Sequence, residues 1–374
     1  MRHPRVRFTL VVIFSLGALS STVSISGQSQ PARDVQAAKE AERKLILSVA
    51  EGIKKRDAAM ALPTDVKNWK PERTPWGDPD LAGVYSNSDE SGIPFERPAQ
   101  FAGRNLKDIT PAELQTLSQQ RRDAVIDRAA SAVEDPEGHP QLFWWENLNA
   151  NSSRAWLVND PPDGRIPPTT PEAQKRVAAR QEARKRSGRG PADGPEDRSL
   201  YDRCISRGLP GSMMPAIYGS SYSIVQGPNT VAITYEMIHE TRVIPLDNRP
   251  HVGPSISSYM GDARGHFEGN TLVVETTNIK DQIAYRNANG ATLKIVERFT
   301  PIGPSSVEWS TTIDDPATWT RPWTFAMNLT KKDPSQQPFE YACHEGNYGL
   351  KNILSGARAE ERARAAATAN TNGK

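Results

Sequence analysis

From Tyr222 onward apolar and polar side chains alternate with a period of two, the spacing of a strand with one buried face. The alternation predicts strands at Ser223–Gln226, Thr230–Ile238, Arg242–Leu246, Thr271–Thr277, Leu293–Phe299, Ser306–Ile313 and Trp323–Leu329, about seven in all. Their separators, among them Gly227-Pro228-Asn229, Gly269-Asn270 and Asn289-Gly290, are short and turn-forming, and no long helical pattern lies between strands. The expected fold is mainly β: an antiparallel meander that hides its edges by closing into a lipocalin-like barrel or folding into a sandwich, with the barrel favoured. In Thr230–Ile238 one face offers Val231, Ile233, Tyr235 and Met237, and the other carries Thr234 and Glu236. Glutamates recur at mid-strand at Glu236, Glu275, Glu297 and Glu308. They face solvent in an ordinary half-buried strand, and they line a polar pocket if the barrel turns that face inward.

The preceding half has a different texture. Leu45, Ile46, Val49 and Ile53 recur at helical spacing and predict one amphipathic helix within residues 34–62. Pro71, Pro75, Pro79, Pro94 and Pro98 then exclude helix, which leaves Ala82–Tyr85 as the one short strand candidate in a wrapping segment outside the core. Thr110 as cap, Pro111 at the first position and Glu113 in the first turn predict a surface helix running toward Ala132. An aromatic stretch opening at Phe143 leads to an extended Arg154–Val158 and the rigid turn Asp160-Pro161-Pro162-Asp163-Gly164. Pro171 starts another helix, which dissolves by Arg198 into a linker carrying Lys175, Arg176, Arg180, Arg184, Lys185, Arg186 and Arg189. No aromatic residues interleave those charges, so a solvated helix and linker is expected there and not a nucleic-acid surface. The organisation expected is helical and irregular wrapping over 63–200, a β domain over 201–355 and a polar tail over 356–374.

Composition adjusts this picture at three points. A hydrophobic content of 37% with 30 prolines supports one sizeable core with much irregular structure around it. The net charge of +2, from 46 basic and 44 acidic residues, points to no polyanionic partner. At the start, Arg2, Arg5 and Arg7 precede the apolar run from Leu10 to Leu19, and the small residues Ser24 and Ser26 follow. That order predicts a cleavable secretory signal over residues 1–26, because the run is about half of the ~20 residues that span a bilayer. No second long apolar segment predicts a membrane span, and a periplasmic or secreted location is expected. In such an oxidising compartment Cys204 and Cys343, the only two cysteines, are expected to form a disulfide. The competing reading makes Cys343 a reactive thiol beside His344.

Five separated phrases carry a resemblance. Trp76-Gly77-Asp78-Pro79-Asp80-Leu81, Asn159 through Arg165, Gly261 through Asn278, Asp314-Asp315-Pro316 leading to Trp323, and Tyr341 through Tyr348 together resemble a family of exported proteins of soil bacteria, over about residues 70 to 355. The resemblance implies export and the general fold, and it implies no reaction. The chain departs from the family's pattern at Phe267-Glu268-Gly269-Asn270, where Trp-Glu-Gly-Asp is usual, and at Glu240, where Asp is usual.

No Gly-x-Ser-x-Gly elbow, His-Glu-x-x-His, phosphate-cradling loop or dinucleotide fingerprint occurs, so no cofactor and no metal is expected. What remains is polar residues at strand ends and turns. His239, Asp262, Arg264, His344 and Glu345 are the candidate catalytic set: a histidine to carry the proton, a carboxylate to orient it and an arginine to hold an anion. The same Asp262 and Arg264 would serve equally as a salt-bridged corner, and His266, beside a turn, is expected to be exposed. Glu236, Arg242, Trp319, Trp323 and Tyr348 are the candidate ligand contacts, and the tryptophans would otherwise plug a barrel end. Two functions follow: an exported barrel binding a small amphipathic or aromatic molecule, or a cofactor-independent lyase, isomerase or hydrolase on a small non-peptide substrate. A structural envelope protein is a third.

Overall fold

The structure is a computed structural model and describes residues 35–59, 69–131, 152–216 and 218–372. The expected signal and the aromatic stretch opening at Phe143 lie outside them.

Strand patterning builds the frame. Two short strands, β1 (Gly83–Ser86) and β2 (Val158–Asp160), precede β3 (Ser221–Gly227), β4 (Thr230–Tyr235) and β5 (Thr241–Pro245). They are followed by β6 (Asp262–Glu268), β7 (Thr271–Thr277), β8 (Lys294–Gly303), β9 (Ser306–Asp314) and β10 (Trp323–Lys331). All pair antiparallel in one 10-stranded sheet of order β5-β4-β3-β1-β10-β9-β8-β7-β6, with β2 added against β10. The sheet curls into a nearly closed barrel, as the alternation predicts. Its outermost strands, β5 and β6, meet through side chains: a Cβ on Gly265 of β6 would lie 2.8 Å from Ile244 and from Leu246. Glycine at that position is what lets the two edges approach.

Three departures from the sequence reading concern the frame itself. β1 is short and flanked by prolines, yet it sits in mid-sheet between β3 and β10, with Val84, Tyr85 and Ser86 buried. Its long neighbours supply the ladder and the burial that so short a strand lacks alone, so this part of the wrapping segment belongs to the core. β6 carries Asp262, Arg264, His266 and Glu268 on its outer face, where turns and strand ends were expected. Its inner face, Ala263, Gly265 and Phe267, is too small to register as an apolar face. Finally, β4 stops at Tyr235, and a tight turn with Ile238 at φ 67° and His239 at φ 47° replaces the expected strand end. Positive φ at a β-branched residue is strained by roughly 1–3 kcal/mol, and the burial of Met237 and Ile238 in the turn offsets it.

Among the described residues four α-helices lie outside the sheet: α1 (Val35–Ala59), α2 (Pro111–Ser131), α3 (Pro171–Arg186) and α4 (Tyr348–Asn372). The cap read at Thr110 is present as a reciprocal pair, with the Glu113 amide donating to the Thr110 hydroxyl and the Thr110 amide donating to the Glu113 carboxylate. α1 packs against α2, burying Ile46 and Ile126. The expected solvated basic helix, α3, is in part a clamp: Arg176 donates to Thr318 Oγ1 at 2.7 Å and Arg180 pairs with Asp281. The expected polar tail continues α4 as far as Asn372. Among the described residues no helix is long and apolar enough to cross a membrane.

Candidate functional site

The end of the barrel formed by Tyr235, Thr241 and Trp323 is closed by the segment before β3. Leu209 and Met213 from that segment join the core cluster, 1% and 0% exposed. Asn87 Nδ2 donates to the Met213 carbonyl at 2.6 Å, and the Tyr222 hydroxyl donates to Asn87 Oδ1. Ser206 donates to Glu240 at 2.8 Å and accepts from the Gly208 amide at 2.9 Å. The disulfide expected between Cys204 and Cys343 is formed, with Cα atoms 5.7 Å apart, and it ties this plug to the segment before α4.

Two clefts open over the plug and share Tyr218 as a wall. The larger encloses about 740 Å³ and is lined chiefly by Tyr201, Tyr218, Met237, Ile283 and Tyr285, with Arg207 as its cation. The guanidinium of Arg207 lies 5.7 Å from the centre of the Tyr201 ring. The second, of about 510 Å³, runs along residues 339–343 past Glu236. At the junction Tyr218 stacks on Tyr341 with centroids 6.2 Å apart, and the Tyr201 phenol interacts with both. Burial, with Tyr218 adding to it, pushes Tyr201 and Tyr341 above the ordinary phenol range. They therefore act as neutral hydrogen-bonding groups and not as phenolate nucleophiles.

Beneath the plug the barrel interior carries a polar belt. Arg242 of β5 pairs with Glu297 of β8, the two side chains 3% and 0% exposed, and Trp309 Nε1 donates to the other Glu297 oxygen at 3.1 Å. Burial opposes the charge on Arg242, but Glu297 outweighs it and holds the guanidinium above its usual range. Both oxygens of Glu297 are thus occupied, while Arg242 Nε and Nη2, Thr311 Oγ1 and Trp323 Nε1 have no hydrogen-bond partner among the described residues. The Tyr235 hydroxyl interacts electrostatically with Arg242 but is not aligned for a hydrogen bond. Around the belt stand aromatic rings: Trp309 and Trp323 pack on Phe325, and Tyr285 from the larger cleft lies 6.3 Å from Trp323.

The sequence-selected residues fall into three places. Arg242, Trp319 and Trp323 are buried in or beside the belt, and Glu236 is buried on the wall of the second cleft, accepting from the Ser221 amide. His239 and His344 stand exposed at the plug end, their rings 6.4 Å apart, and His239 Nδ1 lies 2.8 Å from the Tyr341 carbonyl. Glu345 is exposed beside them, and Tyr348, 68% exposed, lines neither cleft. Asp262 and Arg264 form a salt bridge at 2.6 Å on the outer face of β6, where Asp262 also meets His251 Nδ1 at 2.9 Å. Both are committed to that corner. His266 is exposed as expected and pairs with Glu268. Of the four mid-strand glutamates only Glu297 points into the barrel from a strand, while Glu275 and Glu308 are about two-fifths exposed.

Sequence reasoning missed the tyrosine cluster, Arg207 and Thr311. Glu297 was within reach, because it shares strand parity with the apolar Ile295 and Phe299.

Glu240 gives a pH prediction. Burial raises its pKa, opposed by the Ser206 hydrogen bond and the Arg207 amide. A carboxyl with a raised folded pKa adds stability that is complete below its unfolded pKa and is lost as pH rises through the folded value. Glu240→Gln, which keeps the acceptor for Ser206, should match the parent in denaturant midpoint near pH 4 and exceed it at pH 7 to 8. A difference independent of pH would contradict the assignment.

Among the described residues no three His, Cys, Asp or Glu side chains are grouped to hold a metal ion. No family model, curated protein or solved structure matches this chain.

Proposed function

We propose that the chain binds a small amphipathic or aromatic molecule in the larger cleft at the plugged end of the barrel. The observation that carries this reading is the cleft itself: about 740 Å³ walled by tyrosines, Met237 and Ile283, with a few polar groups set in an apolar surface, the composition typical of small-molecule sites. The signal-like start of the chain and the Cys204–Cys343 disulfide support action outside the cytoplasm. Acid–base catalysis is the weaker reading, since Asp262 and Arg264 are bound to each other and Asp262 also to His251.

Native mass spectrometry of the protein purified from cells that produce it tests the proposal. The parent should carry a small molecule, and Tyr285→Ala should lower its retention about tenfold, the effect of removing one aromatic anchor. A chain that carries nothing and takes up nothing from cell extract would sink the reading. A released molecule that returns from a second incubation with a new mass would make the protein an enzyme.

A further inference from the structure

Resting on that reading, we infer that the interior belt is the recognition end of the site and that it takes an uncharged oxygen acceptor on a flat ring system, a ketone, quinone or lactone carbonyl, in preference to a carboxylate. The first ground is the inventory of unmet groups. Arg242 Nε and Nη2 and Trp323 Nε1 are all donors without a hydrogen-bond partner among the described residues, on residues 4% and 0% exposed, and the buried Tyr235 hydroxyl beside Arg242 is likewise unmet. Thr311 adds a fully buried hydroxyl without a partner. Buried polar groups are rarely left unmet, and sites where they are call for an explanation.

Charge decides between the two kinds of acceptor. The belt's one cation is already matched by Glu297, both of whose oxygens are engaged, by Arg242 and by Trp309. A carboxylate entering the belt would leave a net negative charge in the barrel interior, where an unpaired charge is strongly disfavoured. A carbonyl oxygen accepts the same N–H groups and leaves the balance intact. The surrounding rings favour a flat molecule: Trp309, Trp323 and Phe325 pack edge-on or tilted about the belt. Continuity with the cleft comes from Tyr285, which belongs to the cleft wall and packs against Trp323 on its other side.

The experiment titrates the full chain by calorimetry with two probes of one shape, naphthyl methyl ketone and naphthoate, and repeats the ketone titration on Thr311→Val and Trp323→Phe. The ketone should bind about tenfold or more tighter than naphthoate. Each variant should weaken the ketone about fivefold, the loss of one hydrogen bond. Thr311→Val should leave the unfolding midpoint of the free protein unchanged or raised, because the hydroxyl it removes has no protein partner to abandon. A merely structural threonine would lower the midpoint and spare the affinity. Naphthoate binding as tightly as the ketone overturns the inference. A ketone that binds with unchanged affinity to both variants overturns it as well while leaving the cleft reading intact, and a chain that binds neither probe defeats both.

Discussion

Glu297→Leu is expected to lower the unfolding free energy by about 3–5 kcal/mol, the cost of leaving a buried charge without its partner. The side chain removed is 0% exposed and is, among the described residues, the counter-charge paired with an Arg242 that is almost as buried. The effect should be large for a topological reason too. β5 and β6 are the ends of the hydrogen-bonded order, so no ladder joins them, and the Arg242–Glu297 pair ties β5 to β8 across that seam. The second half of the expectation is recovery. Arg242→Met combined with Glu297→Leu removes both charges, and such replacements of buried pairs are often neutral or stabilising, so the double variant should regain most of the loss. Urea unfolding of the parent, both single variants and the double variant reads the coupling directly. A Glu297→Leu loss below about 1 kcal/mol, the value of an exposed pair, would mean that water reaches the belt.

Cutting the disulfide has the second largest expected effect. Cys204 and Cys343 are 139 residues apart in sequence, and closing a loop of that length limits the unfolded chain by roughly 4–5 kcal/mol in the chain-entropy model. Cys204→Ala with Cys343→Ala should therefore lose several kcal/mol in the same assay. The loss has a local signature. The bridge holds the plug to the segment that contributes Tyr341, so hydrogen exchange in residues 199–216 and 339–347 should rise more than in β8 and β9. The links left between these segments are few: Asn347 Nδ2 donates to the Asp202 carbonyl at 2.9 Å, and the Tyr201 phenol interacts with that of Tyr341. Equal protection in both regions, with an unchanged midpoint, would show that the plug is held by Leu209, Met213 and Asn87 alone.

How much of this was legible follows from the range of each signal. β9 and β10 were readable because large apolar residues sit on one parity along them, as in Val307, Trp309 and Ile313. β6 was not, because its inner positions are Ala263 and Gly265, and Gly265 is small for a reason visible only when Ile244 and Leu246 of β5 lie over it. The same distinction runs through the site. Arg242 and Trp323 were singled out as ligand contacts, and Glu297 was read as facing solvent unless the barrel turned it inward. Tyr201, Tyr218 and Tyr341 gave no signal, since they stand on irregular segments where no period assigns a direction.

Period, parity, turn chemistry and the cysteine pair are properties of neighbours or of counts, and by themselves they determined a mainly β chain, an antiparallel meander, one sizeable core and one bridge. Only the tertiary structure decided which face of each strand turned inward, that β1 entered mid-sheet, that the edges met at Gly265, and that Arg242 and Glu297, 55 residues apart, were buried against each other. The physical reason is that a strand's pattern is read along the chain, whereas register and closure are set by side-chain packing and charge balance between strands remote in sequence.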